Sequence, residues 1–202
     1  MARLPLVLGT DDLPIAELCA ARLDGELFAI DEGWAPVDEP DLPAFRAAVV
    51  ALRVPRSLVI ERLSAAWVHG GLDVPPRVAQ FCVPLSSRVA VIRHRRVTVR
   101  EVRIDEAEIV EFGRVQCTTV VRTGFDLLRE PSLDDELAEG VVATLIASRP
   151  GLAAALRHRL ETVTRMPHKS MALARLDRAR RVGLAVTVAG PAAGSAQPSL
   201  TR

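Results

Sequence analysis

The 202-residue chain has no tyrosine, only five phenylalanines and two tryptophans, and a single lysine, Lys169. Aromatics make up 3% of the residues and hydrophobic residues 49%, so a core must be built from Val, Leu, Ile and Ala. No apolar run is long enough to span a bilayer. The opening Met1-Ala2-Arg3-Leu4-Pro5 lacks the shape of a signal peptide, because Asp11 and Asp12 arrive before any long apolar region. Cys19, Cys82 and Cys117 are odd in number, far apart and without C-x-x-C spacing. That pattern excludes a disulfide framework and a zinc finger, and it predicts buried thiols in a reducing cytoplasm.

The usual catalytic patterns are missing as well. There is no G-x-x-x-x-G-K-[ST] and no G-x-G-x-x-G to cradle phosphates. His69, His94, His158 and His168 do not pair as H-x-x-x-H or H-E-x-x-H. No G-x-S-x-G turn surrounds Ser64. An Mg²⁺ nuclease of the restriction type wants an acid two residues before a lysine, but Pro167-His168 precedes Lys169. Asp105, Glu106, Glu108 and Glu111 read as a charged, exposed loop and strand. The expectation is a protein that is not an enzyme and needs neither cofactor nor metal.

What is present is charge asymmetry. Net charge is +1, yet residues 1–50 carry ten acids and three arginines, and the remainder balances at +8. Arginine with abundant Ala, Val and Leu is also the composition of a GC-rich genome, so arginine counts alone do not imply nucleic acid.

The pattern predicts an α+β protein: a partial winged-helix piece, a mixed antiparallel sheet core with helices, and a helical C-terminal part. Asp12 is placed to cap a first helix with Pro14 in its first turn and Ile15, Leu18, Cys19 and Leu23 as its apolar stripe. Leu27–Ile30 and Trp34–Val37 form a hairpin around Asp31-Glu32-Gly33. A helix from Asp41 carries Phe45, Ala48, Val49 and Leu52, and Pro55 ends it. Strands are expected at Val78–Pro84, Val89–Arg95, Val97–Val102, Glu108–Phe112 and Val115–Cys117. Thr118 or Thr119 caps a helix with Arg122 and Asp126. Ser132 with Asp135 resembles a capping box opening a helix towards Ser148. Leu152, Leu156, Leu160 and Val163 line the next helix, and Met166-Pro167 breaks it. A last helix spans Lys169 to about Val182, with Val186–Val188 as a possible terminal strand. Three regions follow: a vestigial winged helix at 1–40, a main domain at 41–189 and a flexible tail at 190–202.

Four constellations carry the candidate residues. Ser64-Ala65-Ala66-Trp67-Val68-His69-Gly70 combines small residues, a large aromatic and a glycine stop. It predicts a short buried helix in which Trp67 fills the core and His69 satisfies a local backbone group. Arg122 and Asp126 are i, i+4 on a helix, either as a contact to a partner or phosphate or as an intrahelical ion pair. Arg93-His94-Arg95-Arg96 is a basic cluster at a strand end. There Arg93 and Arg95 share one face, open to an acidic partner, to phosphates or simply to solvent. On the last helix Arg175, Arg178 and Arg181 fall opposite Ala172, Leu173, Leu176 and Ala179, with His168 and Lys169 near its start. That face is either a DNA contact through Lys169, Arg175, Arg178 and Arg181 or a solvated outer face.

Taken in order, Ser64–Gly70, the Val-rich basic stretch around Arg93–Arg96, and Thr119-Val120-Val121-Arg122-Thr123 leading into Phe125-Asp126-Leu127 resemble blocks of the AbiEi-type antitoxins. These belong to bacterial type IV toxin–antitoxin, or abortive infection, systems. The resemblance covers about Leu13 to Arg129. It implies an N-terminal winged helix that binds promoter DNA and a C-terminal domain that neutralises a nucleotidyltransferase-type toxin. The matching hairpin here carries Glu26, Asp31 and Glu32, which would repel phosphates, so it is not expected to bind DNA. The reading is therefore a cytoplasmic, antitoxin-like protein with a protein toxin as partner and possible promoter binding and autoregulation. Arg93, Arg95 and Arg96 are its candidate partner contacts. The alternative is a transcriptional regulator that binds DNA through the basic C-terminal helix.

Overall fold

The computed structural model describes residues 5–54, 58–85 and 95–189, with side chains described as far as residue 183. It is α+β, as the sequence pattern predicts. The elements run α1 (Ile15–Leu23), β1 (Leu27–Ile30), β2 (Gly33–Pro36), α2 (Pro43–Ala51), β3 (Val59–Ile60), α3 (Arg62–Val68), β4 (Ala79–Pro84) and β5 (Val97–Val102). A 3₁₀ turn at Glu106–Glu108 leads into β6 (Ile109–Phe112) and β7 (Val115–Thr118). Four helices follow: α4 (Val120–Leu128), α5 (Asp135–Ala147), α6 (Leu152–Thr162) and α7 (Lys169–Ala189).

The main sheet has the order β5-β4-β3-β7-β6. It is mixed: β4 runs parallel to β5, β3 runs parallel to β7, and the β3–β4 and β6–β7 pairs are antiparallel. Its central strand, β3, has only Val59 and Ile60, both fully buried. The β1–β2 hairpin forms a separate antiparallel pair, extended by a bridge from Leu8 to Trp34.

Two large apolar clusters fill most of the interior, beside a small third one of Val59, Cys82 and Val102. One gathers Val7, Ala35, Phe45, Val49, Ile60, Trp67 and Phe81, and so joins hairpin, sheet, α2 and α3. The other gathers Ala66, Phe125, Leu128, Val142, Leu145, Leu156, Leu160 and Leu176 from the C-terminal helices. Neighbouring residues of α3 point into different clusters: Ala65 and Trp67 into the first, Ala66 into the second. Its small side chains let it lie between sheet and helices without a void.

Several local expectations are corrected. Pro14, not Asp12, precedes α1, and the Asp12 carboxylate instead accepts the Gly9 N–H at 2.8 Å. Of the α1 stripe only Leu18 is buried; Ile15, Cys19 and Leu23 are exposed. Leu18 alone meets the core because one short helix contacts little but the adjacent hairpin strand. Asp134, not Ser132, caps α5, accepting the Leu137 N–H at 3.0 Å. Val186–Val188 continue α7 rather than forming a strand. Arg95 and Arg96 lie in the turn before β5, so strand alternation does not govern their directions. Pro55, most of the expected Val89–Arg95 strand, Arg93, His94 and the 190–202 tail lie outside the described residues.

Candidate functional site

The Ser64–Gly70 block folds as its composition dictates. Trp67 is buried, with the Arg46 guanidinium over its ring at 5.4 Å. The Arg46 guanidinium also donates to the Trp67 carbonyl oxygen at 2.8 Å. Ser64 Oγ accepts the Gln80 N–H at 2.9 Å, tying α3 to β4. The helix ends in a left-handed Gly70, φ +78°. The Gly71 N–H returns to the Ala66 carbonyl oxygen at 2.7 Å and the Gly70 N–H to that of Trp67 at 3.0 Å. This is the paired closure that a glycine past the C-cap permits. Gly71 has a second reason to be glycine, since a Cβ there would lie 2.9 Å from the Leu145 side chain on α5.

His69 does not serve a local backbone group. Its Nε2–H donates to the carbonyl oxygen of Thr118, at the end of β7, at 2.7 Å. Burial pushes the ring's pKa below its ordinary value. The hydrogen bond to Thr118 opposes that shift, and the Arg149 charge adds to it. Arg149 donates to the His69 carbonyl oxygen at 2.7 Å, satisfying an orphan carbonyl at the buried end of α3.

Arg122 and Asp126 form an ion pair at 2.8 Å, with side chains 5% and 2% exposed. Arg122 also pairs with Glu108 and donates to the Arg103 carbonyl oxygen at 3.1 Å. Glu108 pairs in turn with Arg159, and Asp126 with Arg129 at 3.1 Å. Glu108 is thus not the exposed acid expected from sequence. Burial raises its pKa, but hydrogen bonds from Arg159 and from the Asp105 N–H, with the charges of Arg122 and Arg159, hold it below the ordinary carboxylate value. Nearby, Glu61 receives Arg100 through two hydrogen bonds at 2.7 and 2.6 Å. The enclosed Arg122 guanidinium ties α4 to the 103–108 segment and presents no face to a phosphate.

On the C-terminal helix, Arg175 does not fit the expected DNA face. Arg175 is 1% exposed. It donates to Asp135 at 2.7 Å and to the carbonyl oxygens of Leu128, Glu130 and Leu133 at 3.2, 2.7 and 2.6 Å. Arg178 pairs with Glu139 at 2.6 Å and Asp135 at 3.1 Å. Lys169 Nζ donates to the Glu161 and Val163 carbonyl oxygens at 2.8 and 2.9 Å, closing α6. Of the four proposed contacts Arg181 stays exposed, joined by its neighbour Arg180. The apolar face spreads wider than the helical wheel suggested because α7 packs on α4, α5 and α6.

The basic cluster gains a setting that the sequence did not reveal. Arg95 and Arg96 are exposed beside a cleft of 390 Å³ lined by Asp31, Arg53, Pro75, Pro76, Arg77, Val78 and Arg96. Arg53 reaches across to the hairpin tip, donating to Asp31 at 2.7 Å and to the Arg77 carbonyl oxygen at 3.2 Å. The Asp31 and Arg53 side chains are 9% and 4% exposed, so the acidic charge at the tip is neutralised inside the fold. Glu32 faces Arg96 at 3.9 Å. Arg77, Arg95 and Arg96 therefore form an exposed basic rim. Arg53 and Arg77 were missed from sequence; the one available signal was Pro75-Pro76-Arg77, a stiff turn that holds a charge outward.

Among the described residues, no group of three or more His, Cys, Asp or Glu is placed to hold a metal ion, and no helix is long and apolar enough to cross a membrane. No protein-family model matches the chain, and no curated protein is significantly similar. A solved structure to which it is similar is that of the RV2827C protein from Mycobacterium tuberculosis. The two are 16% identical with a TM-score of 0.46, over 91% of this chain and 76% of that one.

Proposed function

We propose that the chain is an antitoxin-like protein that binds and neutralises a nucleotidyltransferase-type toxin. The observation that carries this reading is the basic rim at the hairpin-tip cleft, which Arg77 and Arg96 line and to which Arg95, exposed and next to Arg96 in sequence, adds charge. A nucleotidyltransferase holds Mg²⁺ with clustered carboxylates and so presents an acidic cleft. A rim of exposed guanidinium groups complements it, and such complementarity steers encounter and fixes register. The AbiEi-like blocks support the same reading in a different way. Trp67, His69, Arg122 and Asp126 are buried, so they hold the scaffold that presents the rim.

Regulation by DNA through the C-terminal helix has less support, because Lys169, Arg175 and Arg178 are engaged within the fold. The test is co-expression with the neighbouring gene product followed by co-purification. A complex that survives purification, and that Arg95→Glu with Arg96→Glu weakens, is the expected result. Failure of the folded wild-type chain to retain that product rejects the reading.

A further inference from the structure

A groove of 440 Å³ runs between the turn after α3 and α5, and shares no lining residue with the cleft at the basic rim. Leu72, Leu137 and Val141 supply its apolar lining, and Asp73, Asp134 and Glu136 its acidic rim. Leu137, in the first turn of α5, is 41% exposed. Gly140 keeps the groove open, since a Cβ built there meets nothing within 4 Å. Asp134 is held as the α5 N-cap by the Leu137 N–H. Arg46 is the cation whose charge reaches Asp73, but its guanidinium is already committed to Asp41 and to the carbonyl oxygens of Trp67 and Leu72.

We infer that this groove seats a basic amphipathic helix of a protein partner. The apolar lining takes a large aliphatic anchor, and the three carboxylates meet lysine or arginine on either side of it. This is the helix-in-groove mode of recognition, in which apolar contacts supply affinity and the charged rim fixes orientation. An aliphatic helix without cations would leave the carboxylates unpaired. A nucleic acid strand would be repelled by them. The inference does not depend on the basic rim, whose cleft has different lining residues and the opposite sign, so each can fail alone.

The test uses the full chain and a fluorescently labelled amphipathic helical peptide, with leucine on its apolar stripe and lysine on its flanks. A second peptide carries glutamate in place of lysine. Fluorescence anisotropy should show saturable binding of the lysine peptide and at least about tenfold weaker binding of the glutamate peptide. Gly140→Trp fills the groove from an open position and should weaken the lysine peptide by at least about tenfold while thermal melting confirms an intact fold. Glu136→Lys, on an exposed side chain, should weaken it as well. Equal binding of the two peptides overturns the proposal. So does unchanged binding by folded Gly140→Trp, or no binding of the lysine peptide at all.

Discussion

His69 donates its Nε2–H to the Thr118 carbonyl oxygen at 2.7 Å, linking the end of α3 to the end of β7. Thr118 continues the link, its Oγ1 lying 2.7 Å from that of Thr123 on α4. The first and last of the three sequence blocks that resemble antitoxin motifs are therefore joined in one buried structure. The first prediction comes from this bond. His69 has a depressed pKa in the fold, so folding favours the neutral ring. Its contribution is complete above the unfolded pKa, near 6.5, and is lost as pH falls through the lower folded value. Urea unfolding at a series of pH values should show stability falling below about pH 6.5. His69→Asn should be less stable at neutral pH and should flatten that part of the curve. An unchanged slope in the variant would remove His69 as the titrating group.

Trp67→Ala should cost about 3–5 kcal/mol, as large-to-small substitutions in cores do. The cavity would open in the first cluster, beside Phe45 and Phe81, and the Arg46 stacking contact would vanish too. Thermal melting measures it. A melting point within a degree or two of the wild type contradicts the packing described.

Arg122→Met leaves Asp126 and Glu108 without the cation they share. Breaking a buried pair from one side costs about 3–5 kcal/mol. Arg122→Met with Asp126→Leu should recover part of that loss, because the buried carboxylate that keeps only the half-exposed Arg129 is then gone. Chemical denaturation of the two variants checks the sign. Equal or greater instability in the double variant would show that Arg122 contributes mainly through its other partners.

Arg175→Met removes the donor shared by the carbonyl oxygens of Leu128, Glu130 and Leu133 and should destabilise the fold by about 3 kcal/mol or more. Arg181→Ala, at an exposed position, should melt like the wild type. Differential scanning calorimetry of the pair distinguishes a structural arginine from a surface one. Similar melting points would return Arg175 to the candidate DNA face.

The contrast between these residues shows what the sequence made legible. Ser64–Gly70 was readable because its outcome is local: small residues, one aromatic and a left-handed glycine define a short buried helix wherever it packs. Thr119 as the cap of α4 was readable for the same reason. Arg175 was not. A helical wheel counts its charge against an apolar face, but cannot know that Asp135 and three carbonyl oxygens from the 128–133 segment converge on it. The α1 stripe failed in the opposite direction. Periodicity found Ile15, Cys19 and Leu23, but periodicity does not supply a partner for them, and they lie exposed. The basic cluster was legible as charge and not as a site. Arg77 and Arg53 come from distant stretches, and only the paired register of β4 and β5 brings position 77 beside position 96.

The proposed neutralisation of a nucleotidyltransferase-type toxin through Arg77, Arg95 and Arg96 has a direct test in growth rescue. Cells induced for the neighbouring reading frame alone should arrest, and co-induction of the wild-type chain should restore growth. Arg95→Glu with Arg96→Glu should restore it less, at equal levels of folded protein. If the frame arrests growth and folded wild-type chain leaves that arrest unchanged, the chain is not its antitoxin.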